Sequence, residues 1–486
     1  MNILFAASEM VPFCKTGGLA DVIGALPPVL AGMGHEVAVM IPGYEVIDRD
    51  RYGFAPRADT VGIPVGAQRK LLRISAADWK GVRIFLLDNN DYFGRKGLYS
   101  GRAGDYPDNA ARFVFFARGV LEAAILLGIC PDIIHSHDWQ AALVNTYLAT
   151  VYAGARCFVN AATLFTIHNL GYQGLFPRED FMLTGFPPEE FHWTKLEYYD
   201  RVSFIKGGIV YADAVSTVSE TYAEEITMEP LGFGLHGALD SRRENLYGIV
   251  NGIDEDLWNP ALDRTLPATF GPNDMGSKAA CRAALLGRCG FEAQASVPVV
   301  GMVSRLDVQK GFDILEDAMG RIMAMDIALV ILGAGAREHQ AALRSLARRY
   351  KKRLHVTIGF DNDLAKLIYA GSDAFLMPSR YEPCGLGQLI AMKYGTLPVV
   401  HATGGLADTV RDLDEHPGDG TGFAFADYSP ETLVEAIGRA VALFRAGGRK
   451  RWNAAVRRAM TGDYSWNASA QRYMSLYEQI GNQKRS

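Results

Sequence analysis

Short, nearly unbroken apolar runs alternate along the chain with longer stretches whose apolar residues recur every three or four positions. In the first half, residues 3–7, 36–41, 83–87, 132–137, 163–168 and 213–218 predict strands, and 20–33, 110–127 and 140–152 predict helices. A second series opens at 246–250 and continues with strands at 297–303, 327–332, 355–359, 373–377 and 397–401. Its helices are predicted at 311–325, 337–350, 364–371, 386–394 and 431–446. Strands apolar on both faces and joined by helices indicate parallel sheets covered on both sides. The pattern therefore predicts an α/β protein with two doubly wound domains, at 1–245 and 246–456. Glycine, proline and asparagine concentrate around 261–276, which suggests a hinge near 245–260. Aromatic residues at helical spacing between 464 and 480 predict that the tail, 457–486, is a helix packing back on the first domain.

The chain has 486 residues, 49% of them apolar and 21% charged, as in ordinary globular proteins. A formal net charge of -5 argues against a general nucleic-acid binder, and the basic run 348–353 is explained as a solvated helix end. No run approaches the roughly 18 apolar residues of a membrane span, and no leader pattern opens the chain, so a cytoplasmic protein without membrane contact is expected. Cys14, Cys130, Cys157, Cys281, Cys289 and Cys384 show no C-x-x-C spacing. That excludes a zinc ribbon or disulfide framework and predicts six reduced thiols.

The chemistry concentrates in a few segments. Lys15-Thr16-Gly17-Gly18-Leu19-Ala20-Asp21 follows the first strand, and its core returns as Thr403-Gly404-Gly405-Leu406-Ala407-Asp408. Each predicts a glycine turn opening a helix, where backbone comes close to a ligand and unpaired N–H groups face an anion. Two ordinary helix starts would look the same, but only the first copy brings a lysine. Arg305 leaves a predicted strand and Lys310 starts the next helix; two fixed cations there can neutralise a diphosphate, unless they only pair with Asp307 or Asp313. In Pro378-Ser379-Arg380-Tyr381-Glu382-Pro383-Cys384-Gly385-Leu386, a strand passes through a polar turn into a helix beginning near Gly385. Glu382 can there accept sugar hydroxyls or stabilise a positive sugar, or serve as a cap.

His135 and His137 end one predicted strand and His168 another, with no further ligand at a recognisable spacing to complete a site, so no metal site is predicted. Asp138 and His168 suit a hydroxylated substrate better. D-x-D pairs at 254/256, 361/363 and 412/414 are explained as turns and caps, and Gly333-Ala334-Gly335 lacks the full dinucleotide fingerprint.

Taken in order and spacing, these motifs resemble the bacterial glycogen synthase and plant starch synthase family from residue 2 to about 477. With no transit extension before Met1, the bacterial branch is the nearer. The resemblance implies the GT-B arrangement, two Rossmann-like domains facing across a cleft. It implies transfer of glucose from ADP-glucose to the non-reducing end of glycogen or another α-1,4-glucan, with retention, ADP as product and no cofactor. It also implies roles. Lys15 and Gly18, with Asp21 beside them, would approach the sugar diphosphate, and Arg305 and Lys310 would neutralise it as it departs. His168 and Asn169 would meet the glucose, with Asn251 nearby. Glu382 and the backbone of Cys384, Gly385 and Leu386 would hold sugar hydroxyls and phosphate. Phe360 would stack on adenine, Asp138 would face the acceptor and Tyr99 would touch a sugar. Many retaining relatives carry a second glutamate eight positions after the first, where this chain has Ile390, with Gln388 near it. Two routes stay open: covalent attack by Glu382, or attack by the acceptor on the leaving-group face. The competing readings are a sugar-nucleotide epimerase, a glucan phosphorylase and an inactive glucan-binding protein.

Overall fold

The computed structural model describes residues 1–102, 104–292, 294, 296–446 and 449–485. It contains two compact units: Met1–Asn251 joined by the terminal segment from Trp466, and Gly252–Ser465. The boundary thus falls after Asn251 rather than after 245. The tail of the first unit starts at Trp466 rather than 457, because the helix Lys450–Thr461 belongs to the second.

The sheet of the first unit uses β1 (Asn2–Ala6), β2 (Glu36–Pro42), β3 (Ala55–Val65), β4 (Gln68–Trp79), β5 (Val82–Asp88), β6 (Ile133–His137), β7 (Ala162–Ile167), β8 (Ala214–Thr217) and β9 (Leu246–Gly248). Their order is β9-β8-β7-β6-β1-β2-β5-β4-β3, parallel except where β4 pairs antiparallel with β5 and β3. Two features depart from the sequence reading. The β3–β4 hairpin was not predicted, because much of β3 is exposed and offers no apolar run. The run expected to open the second series is β9, which pairs with β8 at the edge of the first sheet. An apolar run names a strand but not its neighbour.

The second unit has β10 (Val299–Leu306), β11 (Ala328–Gly335), β12 (Leu354–Ile358), β13 (Ala374–Met377), β14 (Leu397–His401) and β15 (Phe423–Phe425), all parallel. The order β12-β11-β10-β13-β14-β15 reverses between β10 and β13. In a doubly wound sheet, ligands bind beyond the carboxyl ends of the strands at that reversal. The stretch near 261–298 is not all connection: it holds the helix Lys278–Cys289, which buries Cys281, Leu285 and Leu286.

The terminal helix Trp466–Arg485 buries Trp466, Ala470, Tyr473, Tyr477 and Ile480, a spacing of three and four that lays one face on the core of the first unit. The Tyr477 hydroxyl lies 2.7 Å from His135 Nδ1. Cys130 and Cys157 form a disulfide with Cα atoms 4.8 Å apart, which corrects the expectation of six reduced thiols. They precede the neighbouring strands β6 and β7, so the sheet joins residues 27 apart in sequence, beyond the reach of a local spacing test. Cys14, Cys281, Cys289 and Cys384 are free and buried. Among the described residues no helix is long and apolar enough to cross a membrane, and no group of three His, Cys, Asp or Glu could hold a metal ion.

Candidate active site

The turns that follow β10 and β13 are pressed together at the reversal. Asp307 accepts the Gln309 N–H at 2.7 Å and starts a short 3-10 turn, Val308–Lys310. Gly311, at φ 78°, then turns the chain into the helix Phe312–Ala324; a Cβ there would lie 1.9 Å from the Pro378 carbonyl oxygen. That contact brings Lys310 Nζ to 2.6 Å from Glu382 Oε2, and the Ser379 hydroxyl donates to the same oxygen at 2.9 Å. The pair is largely removed from water, with side chains 17% and 8% exposed. Arg305 is half exposed; it donates to Gln309 Oε1 at 3.2 Å and stands 3.9 Å from Asp307. Arg305, Lys310, Ser379, Glu382, Gly385 and Leu386 line one cavity of about 150 Å³. Asp313, a rival partner for the cations, is engaged by Arg380 and Tyr428.

The two glycine turns have the same letters for different reasons. In the first, a Cβ at Gly17 or Gly18 would meet nothing within 4 Å. In the second, a Cβ at Gly404 would lie 2.1 Å from the Glu382 carbonyl oxygen, and one at Gly405 would lie 2.1 Å from that of Cys384. The Gly405 N–H donates to the Glu382 and Pro383 carbonyls at 3.1 and 3.2 Å. The glycines of the second turn therefore serve as a backbone buttress beneath the Glu382 loop. Gln388 braces the same loop, its Nε2 donating to the Cys384 and Gly385 carbonyls at 3.0 and 2.9 Å. Cys384 is buried and Gly385 takes φ 74°. Leu386 leads into a helix that begins at Gly387, two residues later than predicted, and Ile390 lies in the core. Phe360, beyond the end of β12, is 95% exposed, an aromatic face open to a planar ligand.

In the first unit, Asp138 follows β6 at φ 54°, a strained conformation for a residue other than glycine. Its Oδ1 accepts the His168 N–H at 2.7 Å, and His137 Nδ1 lies 3.0 Å from His168 Nε2. Burial pushes His168 down to about 3, so the ring is neutral at physiological pH. Burial also raises Asp138 to about 7, despite the His168 N–H that favours its charge. Lys15 is half exposed and bonds both Asp21 oxygens, at 2.7 and 2.8 Å. Burial raises Asp21, and Lys15 works against that shift. The Tyr99 hydroxyl is committed to Ser8 and Glu9, each at 2.7 Å. Asn169 accepts the Gly171 N–H at 2.9 Å, and Asn251 is buried with no partner for its Oδ1 among the described residues.

Thus Arg305, Lys310, Glu382, Gly385 and Leu386 share one cavity, Asp138 touches His168, and Lys15 lies just before the helix whose first turn holds Gly18 and Asp21. Sequence reasoning passed over three residues that hold these groups. Ser379 lay inside a quoted motif and His137 was weighed only as a metal ligand, whereas Glu9 is identified only by its contacts.

The Asp138 shift has a testable sign. In the unfolded chain this carboxyl ionises in the ordinary range near 4, and in the fold at about 7. Between those values folding retains a proton that the unfolded chain releases, so this group's contribution to stability declines as pH rises from 4 to 7 and is level above. Denaturation of Asp138→Asn across pH 4–8 should show a shallower decline than the parent; an identical slope would contradict the shift.

Residues 2–241 match the starch synthase catalytic domain, and residues 291–457 match glycosyl transferases group 1. A glycogen synthase from Geotalea daltonii is 46% identical over 480 residues, 99% of each chain. The chain belongs to the glycogen synthase family. Glycogen synthase 2 of Geobacter sulfurreducens is 43% identical over 485 residues, 100% of both chains. Among solved structures, the catalytic domain of starch synthase IV from Arabidopsis thaliana, bound to ADP and acarbose, superposes with a TM-score of 0.91. It is 32% identical, with 99% of each chain covered. A sucrose-phosphate synthase from Thermosynechococcus elongatus, at 19% identity and TM-score 0.61 over 99% of each chain, shares the fold alone. Family membership makes this a glycosyltransferase of the GT-B class with two parallel-sheet α/β domains, as the sequence predicted.

Proposed function

We propose that this chain transfers glucose from ADP-glucose to the non-reducing end of an α-1,4-glucan with retention, as a glycogen synthase. The observation that carries the reading is the convergence of Arg305, Lys310 and Glu382 on one cavity at the β10–β13 reversal. The ADP and acarbose held by the starch synthase IV relative agree with this donor and acceptor class.

In this mechanism the diphosphate rests against Arg305 and Lys310. As the bond from the glucose C1 to phosphate oxygen breaks, its electron pair leaves with ADP, and the two cations stabilise the growing charge without calling on a metal ion. The acceptor hydroxyl forms its bond to C1 from the same face and passes its proton to the departing phosphate. With Ile at 390, a covalent route would fall to Glu382 alone, and its Oε2 is held by Lys310 and Ser379, which favours this same-face path. Glu382, released from Lys310, accepts sugar hydroxyls and stabilises the positively charged sugar. Neutral His168 bonds a glucose hydroxyl, Asp138 faces the acceptor, and Lys15 and Gly18 approach the diphosphate from the first unit. Phe360 carries the adenine.

Incubation with ADP-glucose and glycogen should release ADP, lengthen the primer and give an α anomeric signal by NMR, with UDP-glucose a poor substitute. ADP release without glucan growth, or a β-linked product, would defeat the reading. Phe360→Ala should raise KM for ADP-glucose about tenfold and change kcat less than about twofold, since a base stack contributes roughly 1–3 kcal/mol in both ground and transition states. Steady-state kinetics checks this; an unchanged KM removes Phe360 from the donor site.

A further inference from the structure

The loop that carries Lys15 is held from behind by a residue that belongs to no motif. Glu9, buried in the turn after β1, uses both carboxylate oxygens. Oε1 accepts the Thr16 hydroxyl at 2.5 Å and the Tyr99 hydroxyl at 2.7 Å. Oε2 accepts the Thr16 N–H and, at 3.1 Å, the Gly17 N–H. Tyr99 is itself pinned by Ser8, so the carboxylate has a fixed orientation. Packing does little to hold this loop, since the space around Gly17 and Gly18 is open. Its conformation rests on two carboxylates: Asp21, which holds Lys15, and Glu9, which fixes the amides just before the helix Gly18–Gly32. Burial leads the upward shifts of Asp138 and Asp21, and the negative charge of Glu9 adds to both.

We propose that Glu9 is the positioning residue of the 15–18 loop: it fixes the Thr16 and Gly17 amides so that Lys15 and Gly18 meet the donor diphosphate. The role rests on the ADP-glucose reading above. Charge-assisted bonds to a carboxylate are among the stronger ones available to a loop, and their loss frees it to sample other conformations. A loop preorganised for the diphosphate should lose donor affinity when that anchor goes.

Two readouts test this in the full-length chain. Hydrogen exchange over residues 11–20 should be at least about tenfold faster in Glu9→Ala than in the parent. KM for ADP-glucose should rise about tenfold while KM for the glucan primer stays within about twofold. Glu9→Gln, which keeps one acceptor oxygen, should fall between parent and Glu9→Ala. In Glu9→Gln the pH-dependent decline in stability assigned to Asp138 should also end at lower pH, because a neighbouring negative charge is gone. An unchanged exchange rate or donor KM in Glu9→Ala overturns the proposal. So does an equal loss of kcat and of both affinities in the two variants together with a lower melting point, the signature of a merely structural residue. A parent chain that shows the protected loop but does not turn over ADP-glucose counts against the donor reading instead.

Discussion

Lys310→Ala should lower kcat about a thousandfold while KM for ADP-glucose changes less than about tenfold. The asymmetry follows from when the lysine acts. In the unliganded chain its charge is satisfied by Glu382 at 2.6 Å, so exchanging that partner for a ground-state phosphate gains little. As the bond to C1 breaks, charge grows on the phosphate oxygen, and a cation already in place stabilises that state without reorganising. The variant also leaves the largely buried Glu382 carboxylate uncompensated, which destabilises the second unit by about 3 kcal/mol. Lys310→Ala/Glu382→Gln separates the two effects, because it should recover stability without recovering turnover. Single-turnover kinetics beside chemical denaturation would measure both. A near-normal kcat in Lys310→Ala would remove the lysine from the chemistry.

Gly405→Ala should cost about 3 kcal/mol and most of the activity, whereas Gly17→Ala should change stability by less than about 1 kcal/mol. The new methyl at 405 would lie 2.1 to 2.6 Å from three atoms of Cys384, two of them backbone carbonyl atoms and the third its Cα, so main chain must move rather than a side chain. What moves is the loop that holds Glu382 against Lys310, which is why stability and turnover should fall together. At Gly17 the φ of -143° suits any residue and the added methyl meets open space. Denaturation midpoints of the two variants check the contrast; equal costs would mean that the repeated motif plays one role in both places.

Much of the fold was legible because buried parallel strands are simple apolar runs, and β1, β2, β5, β6, β7 and β8 all fall on predicted segments. What the pattern leaves out is pairing. Leu246–Gly248 looks the same whether it opens one sheet or closes another, and the half-exposed β3–β4 hairpin has no apolar run. The site divides along similar lines. Arg305, Lys310 and Glu382 were legible because each lies at or just beyond the carboxyl end of a strand, in motifs whose order and spacing carry the family resemblance. Glu9 was not, since its donors are the backbone of residues 16 and 17, the Thr16 hydroxyl and the hydroxyl of a tyrosine 90 positions away. The close packing of the second glycine turn was not legible because glycine serves close backbone packing as readily as a ligand. The Cys130–Cys157 pair depends on strand adjacency, which no spacing rule carries.

A crystal structure of the chain with ADP bound tests the central claim most directly, that the cations of the second unit take the charge of the departing diphosphate. Lys310 Nζ and the Arg305 guanidinium should both lie about 3 Å from phosphate oxygens, with Lys310 drawn away from Glu382. Phosphates seated elsewhere, with Lys310 still on Glu382 and Arg305 still on Gln309, would contradict it.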